Sequence, residues 1–223
     1  ALAGLNSCYA AIQDDEFFVY GDIMSDDAIK GGSSYFDWVE RENLRTFTAN
    51  SGNGVSNGTW SLMYVAIVRS NEIINSLPTA TFDETLKKRI IAEAKFIRAT
   101  AYSKLVPLFG AIPLVTKDFT VDNLTAPRSP INEVYAFIKK DLTDAIADLP
   151  EKSAYSANDL GRVTKGAARM LNARVLMQET GYKYNSTLAA NAGYTVDATA
   201  NWNEVYDLTN AIINSGEYAL ANN

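Results

Sequence analysis

Helical periodicity dominates this chain: apolar residues recur at spacings of three and four, as they do when one face of a helix is buried. Leu2, Leu5, Tyr9 and Ile12 predict a first helix from Leu2 to about Gln13, and Phe17, Phe18, Tyr20, Ile23 and Met24 continue an apolar stretch to Ser25. A second helix is predicted from Trp60 through Met63, Tyr64, Ile67, Ile74 and Leu77, until Pro78 ends it. Its partner starts near Asp83 and carries Leu86, Ile90, Ala94, Ile97, Ala101 and Leu105 to an end near Pro107 and Gly110. Ser129 is placed to cap a helix with Pro130 at its first position and Val134, Ile138, Leu142, Ala145 and Leu149 on one stripe. Another runs from about Thr164 to Thr180, with Gly181 positioned for a left-handed end. A last helix, from Trp202 through Val205, Tyr206, Ile212 and Ile213, stops at Gly216.

The pattern breaks between residues 28 and 59, where Gly31, Gly32, Ser33, Ser34, Ser51, Gly52, Asn53, Gly54, Asn57 and Gly58 predict turns and a long irregular loop. The expectation is therefore an all-α domain over residues 1–223, with residues 28–59 as a loop insertion. Hairpin starts near Trp60, Ile131 and Trp202 lie roughly 70 residues apart, twice the ~34 of a tetratricopeptide helix pair. That spacing suggests tetratricopeptide-like hairpins in an α-α superhelix with long loops. It also predicts that the chain ends after the first helix of a third hairpin, as a fragment whose missing C-terminal portion would cover an apolar face.

Composition narrows the chemistry. With 223 residues, 47% hydrophobic and 21% charged, the chain can bury a sizeable core. The net charge of -6, with basic residues scattered singly or in pairs, leaves no stripe to follow a phosphate backbone, so no nucleic-acid partner is expected. Histidine is absent, which removes Ser-His and Cys-His nucleophile pairs and His-containing zinc sites. The single cysteine, Cys8, reads as a small buried helix residue. Asp14, Asp15 and Glu16 form an acidic run read as a solvated face, with calcium binding the alternative; no cofactor is indicated and no metal site is assigned. No enzyme is expected.

Several segments resemble, in order, the SusD/RagB family of outer-membrane nutrient-binding lipoproteins. They are Trp60, Tyr64, Ile67, Asn71 and Asn75; Ala92, Glu93, Phe96, Arg98, Ala99 and Tyr102, continuing to Leu105, Phe109, Gly110, Pro113 and Val115; Arg128, Ser129 and Pro130; Gly161, Arg162, Thr164, Lys165 and Gly166; and Trp202 with Gly216 and Tyr218. The resemblance implies a secreted surface glycan-binding protein of the outer membrane, lipid-anchored through a cysteine upstream of this segment. It also implies delivery of captured oligosaccharides to a TonB-dependent, SusC-like transporter, and a ligand site completed by C-terminal loops.

The signature residues read as packing. Phe96, Ala99 and Tyr102 share a helix face, Trp60 and Tyr64 are four apart, and Glu93 and Arg98 point to different flanks, each tied to a neighbouring helix. Ligand candidates lie instead in the irregular segment. A sugar offers an apolar C–H face ringed by hydroxyls, so it asks for an aromatic platform beside planar groups that donate and accept. Trp38, Tyr35 and Phe36 supply rings; Asp37, Glu40, Arg41, Asn43, Arg45, Asn50 and Asn53 supply polar groups. The competing reading has Trp38 and Phe36 anchoring the loop to the core. A second aromatic set, Tyr182, Tyr184, Asn185 and Tyr194, could border the same mouth or a contact with the porin-like transporter. The functional expectation is glycan capture; the alternatives are the same fold capturing peptides or another nutrient, or a helical-repeat protein adaptor.

Overall fold

The computed structural model describes residues 1–13, 17–25, 28–34, 36–117, 125–195 and 202–220. The acidic run Asp14–Glu16 and the candidate Tyr35 lie outside the described residues. Among those described there is no strand; one isolated antiparallel bridge joins Ile112 to Ser129. The helices are α1 (Leu2–Ala11), α2 (Phe17–Ile23), α3 (Val39–Arg45), α4 (Gly54–Ser76), α5 (Glu84–Phe109), α6 (Ile131–Asp148), α7 (Lys165–Tyr184), α8 (Ser186–Ala192) and α9 (Trp202–Ile213). α4 through α7 pack in sequence order, α1 lies across α4 and α5, and α9 lies against α7. The fold is all-α and tetratricopeptide-like.

The main core is drawn from α1, α4, α5 and α6, with Leu5, Met63, Ile67, Ile90, Ile97, Tyr102, Leu105, Ile138 and Leu142 fully buried. Cys8 lies in that core, and burial pushes its thiol pKa up. Among the described residues, buried charged groups are paired, as the cost of desolvating a lone charge requires. From α5, Arg98 makes two hydrogen bonds to Asp141 of α6, at 2.7 and 2.8 Å, and a third to Asn71 of α4 at 2.6 Å. The Asn71 amide in turn donates to Val115 O at 2.8 Å, and Tyr102 bonds the same residue's N–H and carbonyl, so three helices and the 111–115 segment share one knot. Glu93, fully buried, accepts from the Tyr9 phenol of α1 at 2.6 Å and from Arg162 at 3.3 Å. Glu93 and Arg98 thus each join different neighbours, as their five-residue spacing predicts.

Three boundaries differ from the sequence expectation. α4 begins at Gly54, six residues before Trp60, because the Asn53 side chain caps it through Ser56 N at 3.2 Å. Val55 and Thr59 are buried there, Val55 in a small cluster with Val19, Ile23 and Leu44; that burial outweighs the poor helix propensity of Gly54, Asn57 and Gly58. The supposed loop 28–59 therefore contains α3 and the first turns of α4. At α6 the cap is Pro130, not Ser129, whose N–H is drawn into the bridge to Ile112 O at 2.9 Å. α7 runs through Gly181 to Tyr184, held by a Tyr182–Tyr194 stack at 5.1 Å and by the Tyr194 phenol on Glu179 at 3.1 Å; the left-handed turn falls at Gly193 instead. Tyr182 and Tyr194 are packing residues, and Tyr184 is exposed.

α9 buries Val205 against Ala173 and Leu176 of α7, while Trp202, Tyr206 and Ile213 remain on its exposed side. The turn that follows is fastened by Glu217 on Ser153 and by a 2.7 Å hydrogen bond between Tyr218 and Thr164.

Candidate functional site

α3 is a short helix lying between α2 and the start of α4, and the segment leading into it carries the candidate rings. Phe36 is 81% exposed and Trp38 65% exposed, so neither ring anchors the loop in the core. Both line a cleft of about 410 Å³ with Glu40, Arg41, Gly54 and Val55. The Arg41 guanidinium lies over the Trp38 ring, 4.2 Å from its centroid, a cation–π contact that covers one face of the indole. Trp38 is also the N-cap of α3 and takes a left-handed conformation, φ 51° and ψ 47°, uncommon for a bulky side chain.

The polar candidates divide. Asp37 sits beside the rings, but its carboxylate accepts from Ser33 N at 2.6 Å, Ser33 Oγ at 2.7 Å and Ser34 N at 3.1 Å. Those hydrogen bonds, the Ser33 hydroxyl foremost, hold its pKa below the usual carboxylate range. Asn53 is buried; it caps α4 and donates to Glu40 O at 2.9 Å. Arg45 forms a two-pronged pair with Glu42, at 2.6 and 2.9 Å, and faces a separate hollow lined by Lys30 and Ser33. Asn50 accepts from Gly52 N at 2.8 Å within its own turn. The structure therefore brings Phe36, Trp38 and Arg41 together in one cleft. It sets Asp37 and Asn53 behind them and leaves Arg45 and Asn50 outside that cleft.

Glu40, named with the polar candidates, lines the cleft, and its carboxylate accepts from Gly54 N at 3.0 Å, a contact between the starts of α3 and α4 that no sequence period encodes. One exposed ring of this segment was not among the candidates. Phe47, 72% exposed with φ 55°, is a third ring displayed by this segment just past the end of α3. Its position in an aromatic-bearing loop was the available signal. Elsewhere, a cleft of about 380 Å³ between α1 and the 158–162 turn is lined by Asn6, Tyr9, Gln13, Asn158 and Arg162. Among the described residues no cluster of three or more His, Cys, Asp or Glu is arranged to hold a metal, and no helix is long and apolar enough to cross a membrane.

Comparison with known proteins places this frame. A SusD-like family model, described as starch-binding associating with outer membrane, matches residues 4–177. A SusD-like protein of Bacteroides ovatus is 32% identical over 146 residues, covering 64% of this chain and 26% of the relative. Surface glycan-binding protein A from Bacteroides fluxus superposes with a TM-score of 0.81 at 25% identity, over 99% of this chain and 44% of that one. The corresponding protein from Bacteroides thetaiotaomicron, solved in complex with laminarihexaose, gives 0.80 at 20% identity, again over 99% of this chain and 44% of that one. The chain thus spans less than half the length of these relatives. With its helical frame and most of its length matched, the chain belongs to the SusD-like family.

Proposed function

We propose that this chain forms part of a surface glycan-binding protein of the outer membrane, one that captures oligosaccharides and passes them to a TonB-dependent transporter of the SusC type. Its task is binding, not catalysis, and a lipid on a cysteine upstream of this segment holds it at the cell surface. The observation that carries the reading is the exposed Phe36–Trp38 pair, two rings set together in one cleft. An indole left 65% in water is available for the C–H face of a pyranose, and Arg41 at its side offers donors for ring hydroxyls. A relative solved with laminarihexaose and others named as glycan-binding proteins support the ligand class. Loops from the remainder of the relatives' length would complete the site.

Calorimetric titration of the protein with a panel of neutral oligosaccharides tests this. Binding is expected for at least one glycan, with Trp38→Ala reducing affinity at least tenfold. A panel without binding, alongside saturable binding of peptides, would move the function to peptide capture on the same frame.

A further inference from the structure

Trp38 holds an exposed ring on a left-handed backbone, a conformation disfavoured for any residue with a Cβ and maintained only where neighbouring contacts over-determine it. Two such sets of contacts flank it. On the N-terminal side the Asp37 carboxylate gathers Ser33 N, Ser33 Oγ and Ser34 N, while the Lys30 ammonium donates to the carbonyls of Ser34 and Asp37. These contacts draw Lys30, Ser33 and Ser34 onto Asp37, immediately before the indole. Gly32 packs against the same residue with φ 101°; a Cβ there would stand 3.0 Å from the Asp37 Cβ. On the C-terminal side Glu40 is tied twice to the start of α4, through its carboxylate to Gly54 N at 3.0 Å and through its carbonyl to Asn53 Nδ2 at 2.9 Å. Between them, Trp38 O accepts from Arg41 N at 2.9 Å and Glu42 N at 3.2 Å, and the Arg41 guanidinium lies over the ring.

We propose that Asp37 and Glu40 are positioning residues that fix the Trp38 indole in one pose before any ligand arrives. Neither needs to touch the sugar; they act through the backbone on either side of the ring. The inference rests on the reading of this cleft as a glycan platform, and it assigns Asp37 a different task from the direct ligand contact its composition suggests. A platform ordered in advance does not have to be immobilised on binding. Loosening it should weaken affinity roughly 2- to 10-fold, the equivalent of ordering one side chain, with no ligand contact removed.

The test uses protein labelled with 5-fluorotryptophan, whose three tryptophans, Trp38, Trp60 and Trp202, give separate fluorine resonances assigned with Trp38→Phe. In the ligand-free wild type the Trp38 line is expected to be single and narrow. Asp37→Ala should broaden or split it while the Trp60 line and the melting temperature stay in place. Asp37→Asn, which keeps an acceptor for Ser33 N, should restore a narrow line. Gly54→Ala is the second probe, because an added Cβ would lie 2.6 Å from the Glu40 carboxylate and break its link. An unchanged Trp38 line in both Asp37→Ala and Gly54→Ala would overturn the proposal, as would a changed line with undiminished oligosaccharide affinity. If the wild type binds no oligosaccharide yet the line still responds, the positioning assignment stands and the glycan reading falls.

Discussion

Arg98→Met removes the guanidinium that joins α4, α5 and α6 while keeping a side chain of similar length. In the native protein Arg98 is 5% exposed and Asp141 3%, so solvent does little to screen what is left behind. The substitution strands the Asp141 carboxylate, leaves the Asn71 carbonyl oxygen without its donor, and removes a cation 4.8 Å from the Phe137 ring. Breaking one side of a buried ion pair costs about 3–5 kcal/mol, a large part of the ~5–15 kcal/mol that holds a domain together. Replacing both partners, as Arg98→Met with Asp141→Leu, leaves no stranded charge and should return to within about 1–2 kcal/mol of wild type. The single variant should also regain stability on acidification. Burial pushes the Asp141 carboxyl up, while the Arg98 guanidinium and, after it, the Lys95 ammonium pull it down; without Arg98 the main downward pull is gone. With the folded pKa above the unfolded one, the native state binds more protons between the two values, so the variant's stability rises as pH falls through that window. Urea unfolding at several pH values measures all three quantities. A loss under about 1 kcal/mol in the single variant at neutral pH would refute the reasoning, since an uncompensated buried carboxylate costs more than that.

Other outcomes follow from single contacts. Cys8, fully buried with a raised thiol pKa, should react with a disulfide reagent only as fast as the protein opens, and at once in denaturant. Gly166→Ala would place a Cβ 2.6 Å from the Tyr218 ring, displacing it and breaking the Tyr218–Thr164 hydrogen bond; about 0.5–1.5 kcal/mol of stability should be lost, read by thermal unfolding. Because hydrogen bonds hold the Asp37 pKa low, its clasp is intact above the ordinary Asp value and is lost as pH falls through the depressed one. Trp38 fluorescence should therefore be flat at neutral pH and change only in acid. Trp38→Gly should leave stability unchanged or raise it by up to about 1–2 kcal/mol, because the left-handed backbone suits glycine, while oligosaccharide binding is lost.

Much of the frame was legible because long helices carry their own periodicity. α5 matches the run predicted from near Asp83 to an end near Pro107 and Gly110, passing through Pro107 to Phe109, and the last helix matches from Trp202. The misread boundaries at α4 and α7 share a physical cause. Gly54, Asn57, Gly58 and Gly181 are weak helix formers in isolation, yet burial of Val55 and Thr59 and stacking of Tyr182 on Tyr194 commit those turns to helix. Both decisions rest on contacts with residues distant in sequence. The site shows the same division. That Trp38 and Phe36 belong to an exposed aromatic segment could be read from residue type and loop context. That Arg41 covers one face of the indole, that Asp37 is committed to Ser33 and Ser34, and that Arg45 belongs to Glu42 could not, because each depends on the local turn geometry around α3.

The central claim is that the face of Trp38 not covered by Arg41 receives a sugar ring. A crystal structure of the protein with a bound oligosaccharide measures this directly. The account predicts a pyranose lying on the indole opposite the Arg41 guanidinium, with its ring carbons in apolar contact at about 4.0–4.5 Å from the indole. An oligosaccharide bound elsewhere with Trp38 and Phe36 left uncovered would contradict it.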